Sequence, residues 1–79
     1  MNWFIVLKRS WMNELTNSFA WDELIEVMVF ENEGEIVITH ELTQQSMDYF
    51  KDKYIIEFMS YNKSQLKPRY RYHIRRNET

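Results

Sequence analysis

An α+β fold in a single domain over residues 1–79 is what the sequence predicts, and three observations lead there. The chain has 79 residues, a length that builds one core and not two. Its apolar residues recur with two periods, helix-like in the first third and strand-like in the last. It holds one Gly and one Pro, so no flexible linker divides it. With 44 % apolar and 28 % charged residues, the composition is that of a globular chain. Segregated helix and strand patterns in so short a chain point to a small α+β domain with an antiparallel sheet.

Residues 2–16 read as an amphipathic helix. Asn2 is a candidate cap, and Trp3, Leu7, Trp11 and Leu15 recur every fourth position. The rival is a short strand at Trp3–Leu7, where Ile5 and Val6 are β-branched. Residues 20–31 also admit two readings. Trp21, Leu24, Ile25, Met28 and Val29 fall at i, i+3, i+4, i+7 and i+8, the stripe of a core-facing helix. Phe19 stapled on Leu24, with Asp22 and Glu23 in the first turn, suits that helix. Alternatively, Val27–Phe30, a turn at Glu31–Gly34, and Glu35–Thr39 form a β-hairpin. The five-membered stripe favours the helix.

Glu35–Thr39 is a strand in both readings, and Ile36-Val37-Ile38 suggest burial on both faces. Thr43 resembles an N-cap for a helix through Lys53, with Met47, Phe50 and Tyr54 turned inwards. Tyr54–Met59 reads as the second strand and Arg69–Arg75 as the third. The third alternates, with Tyr70, Tyr72 and Ile74 on one face and Arg69, Arg71, His73 and Arg75 on the other. The last two strands make a hairpin around residues 60–68. The expected order is helix, helix, strand, helix, strand, strand. The expected core includes Ile36, Ile38, Ile56, Phe58 and Ile74, since each strand must bury one face.

The strand at Glu35–Thr39, the helix from Thr43, and the strand, loop and basic strand that follow resemble the back half of a winged-helix domain, over residues 20–76. The resemblance implies that the last two strands flank a wing and that a helix enters the major groove. The opening Trp3-Phe4-x-x-Leu7-Lys8 is similar to openings of small uncharacterised viral and archaeal proteins.

The chemistry of the chain is mostly exclusion. Without Cys there is no disulfide scaffold, thiolate metal site or thiol nucleophile, and a reducing compartment is the expectation. His40-Glu41 starts like a zinc-protease motif, but Gln44 stands where the second His is needed. Asp48 and Asp52 at i, i+4 make a weak cation pair; a solvated face shared with Lys51 and Lys53 is the simpler account. No Ser lies in a Gly-flanked elbow. We therefore expect a binding protein that needs no metal or cofactor, not an enzyme. The longest apolar run, Trp3–Leu7, is short of the roughly 20 residues that span a bilayer and the roughly 7–15 of a signal peptide. A cytoplasmic or virion-associated protein with no membrane partner is the expectation.

Charge supplies the positive signals. A formal charge of −2 conceals an acidic middle, with eleven carboxylates and two lysines in residues 13–60, and a basic end. In the basic end, Lys67, Arg69, Arg71, His73, Arg75 and Arg76 interleave with tyrosines and are the candidate nucleic-acid contacts. One strand would aim Arg69, Arg71 and Arg75 the same way, spaced for phosphates. The same row would also guard an edge strand against aggregation. Asp22, Glu23, Glu26, Glu31, Glu33 and Glu35 are the candidate contacts for a protein partner, as a basic-surface receptor or as a mimic of nucleic-acid phosphates. Thirteen aromatic residues (three Trp, five Tyr, five Phe) exceed what a small core needs, and an exposed Trp3, Trp11 or Trp21 would favour self-association as a homodimer. Nucleic-acid binding through the basic strand is the leading expectation, and a protein-interaction or inhibitor module is the alternative.

Overall fold

The computed structural model describes residues 11–63 and 66–77. Helix α1 (Asn13–Thr16) leads into strands β1 (Leu24–Val29) and β2 (Glu33–Ile38), then helix α2 (Gln44–Tyr49), then β3 (Tyr54–Lys63) and β4 (Pro68–Arg76). The four strands form one antiparallel sheet in the order β1-β2-β4-β3. The domain is thus α+β as expected, but the order is helix, strand, strand, helix, strand, strand.

The difference lies in residues 20–31, where the favoured helix is overturned and the hairpin forms. A helical stripe at i, i+3, i+4 and a strand alternation share several positions, and the neighbour decides between them. β2 is buried along Ile36, Val37 and Ile38 and needs a hydrogen-bonded partner on each side. β1 supplies one of them, with Val27 opposite Ile36 and Val29 opposite Gly34. Ile25 is the extra residue of a bulge between Leu24 and Glu26, so Leu24, Val27 and Val29 share the core face. The turn closes with Phe30 N–H donating to the Glu33 carbonyl at 2.7 Å.

Gly34 is needed here for space. A Cβ at this position would meet the Met28 carbonyl oxygen and lie 2.8 Å from Met12 Cε. The N-terminal helix is described only as Asn13–Thr16; the reading of residues 2–10 lies outside the described residues. α2 starts where expected, with Thr43 Oγ1 accepting from Ser46 N–H at 3.1 Å. It ends at Tyr49 rather than Lys53, so Asp52 falls beyond it and does not share a helix face with Asp48. Asp48 instead accepts from Gln44 Nε2 at 3.0 Å.

Both short helices and the connections beside them pack on one face of the sheet. The core joins Met12 and Leu15 with Leu24, Ile36, Ile38, Leu42, Phe50, Tyr54, Tyr72 and Ile74. Two buried hydroxyls fix the arrangement. Tyr72 OH accepts from Leu42 N–H at 2.8 Å, and Tyr54 OH donates to the Trp11 carbonyl at 2.9 Å. Of the five residues expected in the core, Ile36, Ile38 and Ile74 are fully buried and Ile56 packs on the cluster. Phe58 is 53 % exposed and is a correction, because the short helices do not reach it.

Candidate interaction surfaces

The sheet has one face covered by helices and one open face, and the open face receives the expected basic row. Antiparallel register sets Arg71 of β4 opposite Val37 of β2 and Ser60 of β3, His73 opposite Glu35 and Glu57, and Arg75 opposite Glu33 and Ile55. The carboxylates that reach these side chains come from diagonal positions on β2 and β3 and, across β2, from β1. Arg69 Nη2 lies 2.5 Å from Glu26 Oε2. Arg71 reaches Glu35 at 2.7 Å and Glu26 at 3.9 Å. His73 Nε2 is 3.1 Å from Glu33, and Arg75 Nη2 is 4.0 Å from Glu57. On this face three arginines meet four carboxylates, so the arginine row is matched in charge by its acidic neighbours.

The remaining cationic candidates lie elsewhere. Lys67 Nζ donates to the Asp22 carbonyl at 3.0 Å in the turn region. The Arg76 guanidinium sits 5.9 Å from the Trp11 ring centre. The six acidic candidates do not make one face either. Glu26, Glu33 and Glu35 belong to the arginine-bearing face, Asp22 and Glu23 precede β1, and Glu31 occupies the β1–β2 turn. Glu23 lies 3.9 Å from His40 and also accepts from the Ala20 N–H at 3.0 Å.

A cleft of about 480 Å³ opens between the helices and the sheet, lined by Phe19, His40, Leu42, Tyr49, Phe50 and Ile56 among others. Its polar lining is Ser18, Glu23, His40, Gln45 and Ser46. No cluster of three or more metal-ligating side chains exists among the described residues.

The surface that sequence reasoning missed is the far half of β3. Its register runs Ile56↔Ile74, Glu57↔His73 and Phe58↔Tyr72, then shifts to Ser60↔Arg71 and Tyr61↔Tyr70. Met59 is the extra residue of this bulge. Phe58 meets Tyr72 edge to face at 5.5 Å, and Tyr61 stacks at a tilt on Tyr70 at 4.7 Å. Phe58, Met59 and Tyr61 stay 53 %, 52 % and 49 % exposed. Leu66, beyond the strand, is exposed as well, as is Trp21 before β1. The signal available in the sequence was the aromatic surplus; nothing in it says where a helix stops covering a strand.

No helix among the described residues is long and apolar enough to cross a membrane. Comparison with protein-family models, with curated proteins and with solved structures finds no match to this chain. The functional reading therefore rests on the surfaces themselves.

Proposed function

We propose that this domain is a protein-interaction module whose contact surface is the far half of β3, centred on Phe58, Met59 and Tyr61. One observation carries the reading: three large apolar side chains, each about half exposed, lie together on the last strand of the sheet. Contiguous apolar surface of this kind on a soluble fold marks a place where another macromolecule docks. Aromatic rings already held against Tyr70 and Tyr72 lose little freedom when a partner arrives.

The nucleic-acid reading has less support. Phosphate binding needs arginines with unspent charge, and Arg69 and Arg71 each face carboxylates at 2.5–2.7 Å. An incoming phosphate would have to displace those carboxylates and then face them as like charges. Tyr70 and Tyr72 lie on the opposite face from Arg69, Arg71 and Arg75, so the tyrosines of β4 do not stack beside that arginine row.

A photo-crosslinking residue placed at position 61 of the full chain in its own cells tests the proposal, with position 52 as the exposed control. A discrete protein adduct at 61 and none at 52 is the expected result. No adduct at 61 above the control overturns it. Titration with labelled duplex DNA or RNA at about 50 mM salt tests the rival. Three phosphate contacts would give a logarithmic salt slope near −2.7, about 0.9 per contact; no binding is expected.

A further inference from the structure

We infer that the partner on β3 is a second copy of this chain, added antiparallel across the β3 edge about a two-fold axis between Met59 and Ser60. This inference rests on the interaction reading and names its partner. β3 ends the strand order, and its outer edge carries no strand among the described residues. An edge ten residues long with no proline inside it is a template for another strand.

The bulge decides what that strand can be. Residues opposite one another in an antiparallel pair point to the same face. In a regular strand, residues three apart point to opposite faces, so about a two-fold axis they can never pair with each other. Here Met59 is inserted between Phe58 and Ser60, and Phe58 and Tyr61 come to share the face of Tyr72 and Tyr70. The same reset puts Glu57 and Asn62 together on the arginine face, and Ile56 and Lys63 together on the helix face.

A two-fold register that sets Phe58 opposite the partner's Tyr61 therefore matches faces along its length. It also sets Glu57 opposite the partner's Asn62, and Ile56 opposite the partner's Lys63. No like charges stand opposite each other. A register centred on Glu57 would oppose two carboxylates. One centred on Ile56 would leave Tyr61 uncovered. In the matched register Tyr70, Tyr61, the partner's Phe58 and the partner's Tyr72 form one aromatic run across the sheet. The ladder forms as two short stretches flanking the axis, with the bulged Met59–Ser60 pair between them. The product is a closed pair with an eight-stranded sheet, which uses up both β3 edges and stops at two chains.

Sedimentation of the full chain and cysteine pairing test the inference. The expected mass is twice the 9.9 kDa of one chain. Since the chain has no cysteine, Phe58→Cys and Tyr61→Cys variants give a clean readout of register. Mixed together and oxidised, they should form the mixed disulfide in large excess over what either forms alone. A mass of one chain, or of more than two, overturns the inference. So does a homodisulfide that forms as readily as the mixed one. Should either variant fail to fold, sedimentation of the unaltered chain still decides. A single-chain mass together with a crosslink at position 61 to a different protein would overturn self-pairing and leave the interaction reading standing.

Discussion

The two halves of β3 pair with the same strand, yet they live in different surroundings. At the near end Tyr54 is buried, its ring against Trp11 and Phe50 and its hydroxyl on the Trp11 carbonyl. Ile56 beside it packs on the core. Past Glu57, every residue of the strand is exposed. Composition contributes, since Ser60, Asn62 and Lys63 make the far half more polar, but it does not decide why Phe58, Met59 and Tyr61 stay exposed. Reach does: α1 has four residues and α2 six, and together with their connections they cover only one end of the sheet. Burial in this fold is decided by the length of the covering layer, and the uncovered end becomes a surface.

Substitutions under the cover should cost far more than those beyond it. Ile74→Ala, opposite Ile56 and fully buried, should lower stability by about 2–5 kcal/mol in chemical denaturation. Phe58→Ala and Tyr61→Ala should cost about 1 kcal/mol or less in a monomeric sample. Equal losses at both ends would erase the contrast.

Gly34→Ala comes next. The added methyl group meets a carbonyl on β1 and the Met12 side chain, and separating them should cost about 1–3 kcal/mol. A thermal melt unchanged from the parent would show that the β1–β2 pair gives way freely.

Tyr72→Phe removes the acceptor for the buried Leu42 N–H and should cost about 1–3 kcal/mol. It also bears on alkaline stability. Burial holds the Tyr72 and Tyr54 hydroxyls above the ordinary tyrosine value of 10.0, because the phenolate would be desolvated. The unfolded chain therefore releases these protons first. The neutral tyrosines' contribution to stability is full below about pH 10 and is lost as pH rises above it. Denaturation midpoints followed across that range should fall less steeply in Tyr72→Phe.

The smallest effect expected is at the cap of the covering layer. Thr43→Ala should cost about 1 kcal/mol through loss of the bond from Ser46 N–H, visible as a modest fall in melting temperature. If the same change also exposed Tyr54 and Phe50, measured by tyrosine fluorescence, α2 would be shown to hold the near end of β3 closed.

Much of this fold was legible in the residues. The Thr43 cap, the β4 alternation and the buried Ile36–Ile38 run all follow from local chemistry, and each appears in the structure. Residues 20–31 were ambiguous because Leu24, Met28 and Val29 satisfy a helical stripe while Val27 and Val29 satisfy a strand. Only the unmet hydrogen bonds of β2 select between them, and that is a tertiary fact. The arginine row was legible as a row but not as a neutralised one. Its charge depends on Glu26, Glu35 and Glu57 arriving from three strands, and strand order is not written in any local pattern. Phe58 reads as core because each strand must bury one face, but that rule does not say how far along the strand the cover extends. Neither the bulge at Met59 nor the short cover has a local signature in the sequence.

The position of β4 has a consequence in time. It is the last of the four strands to be synthesised, yet it lies between β2 and β3. Until Pro68–Arg76 emerges, the β1–β2 hairpin is the only part of the sheet that can close. During that interval one edge of β2, bearing Ile36 and Ile38, and the whole of β3 wait without their common neighbour. The β2–β4 pairs have the longest sequence separation in the sheet, and their closure is the slowest expected. A chain that ended before β4 would display two unpaired strands at once, and its expected fate is aggregation.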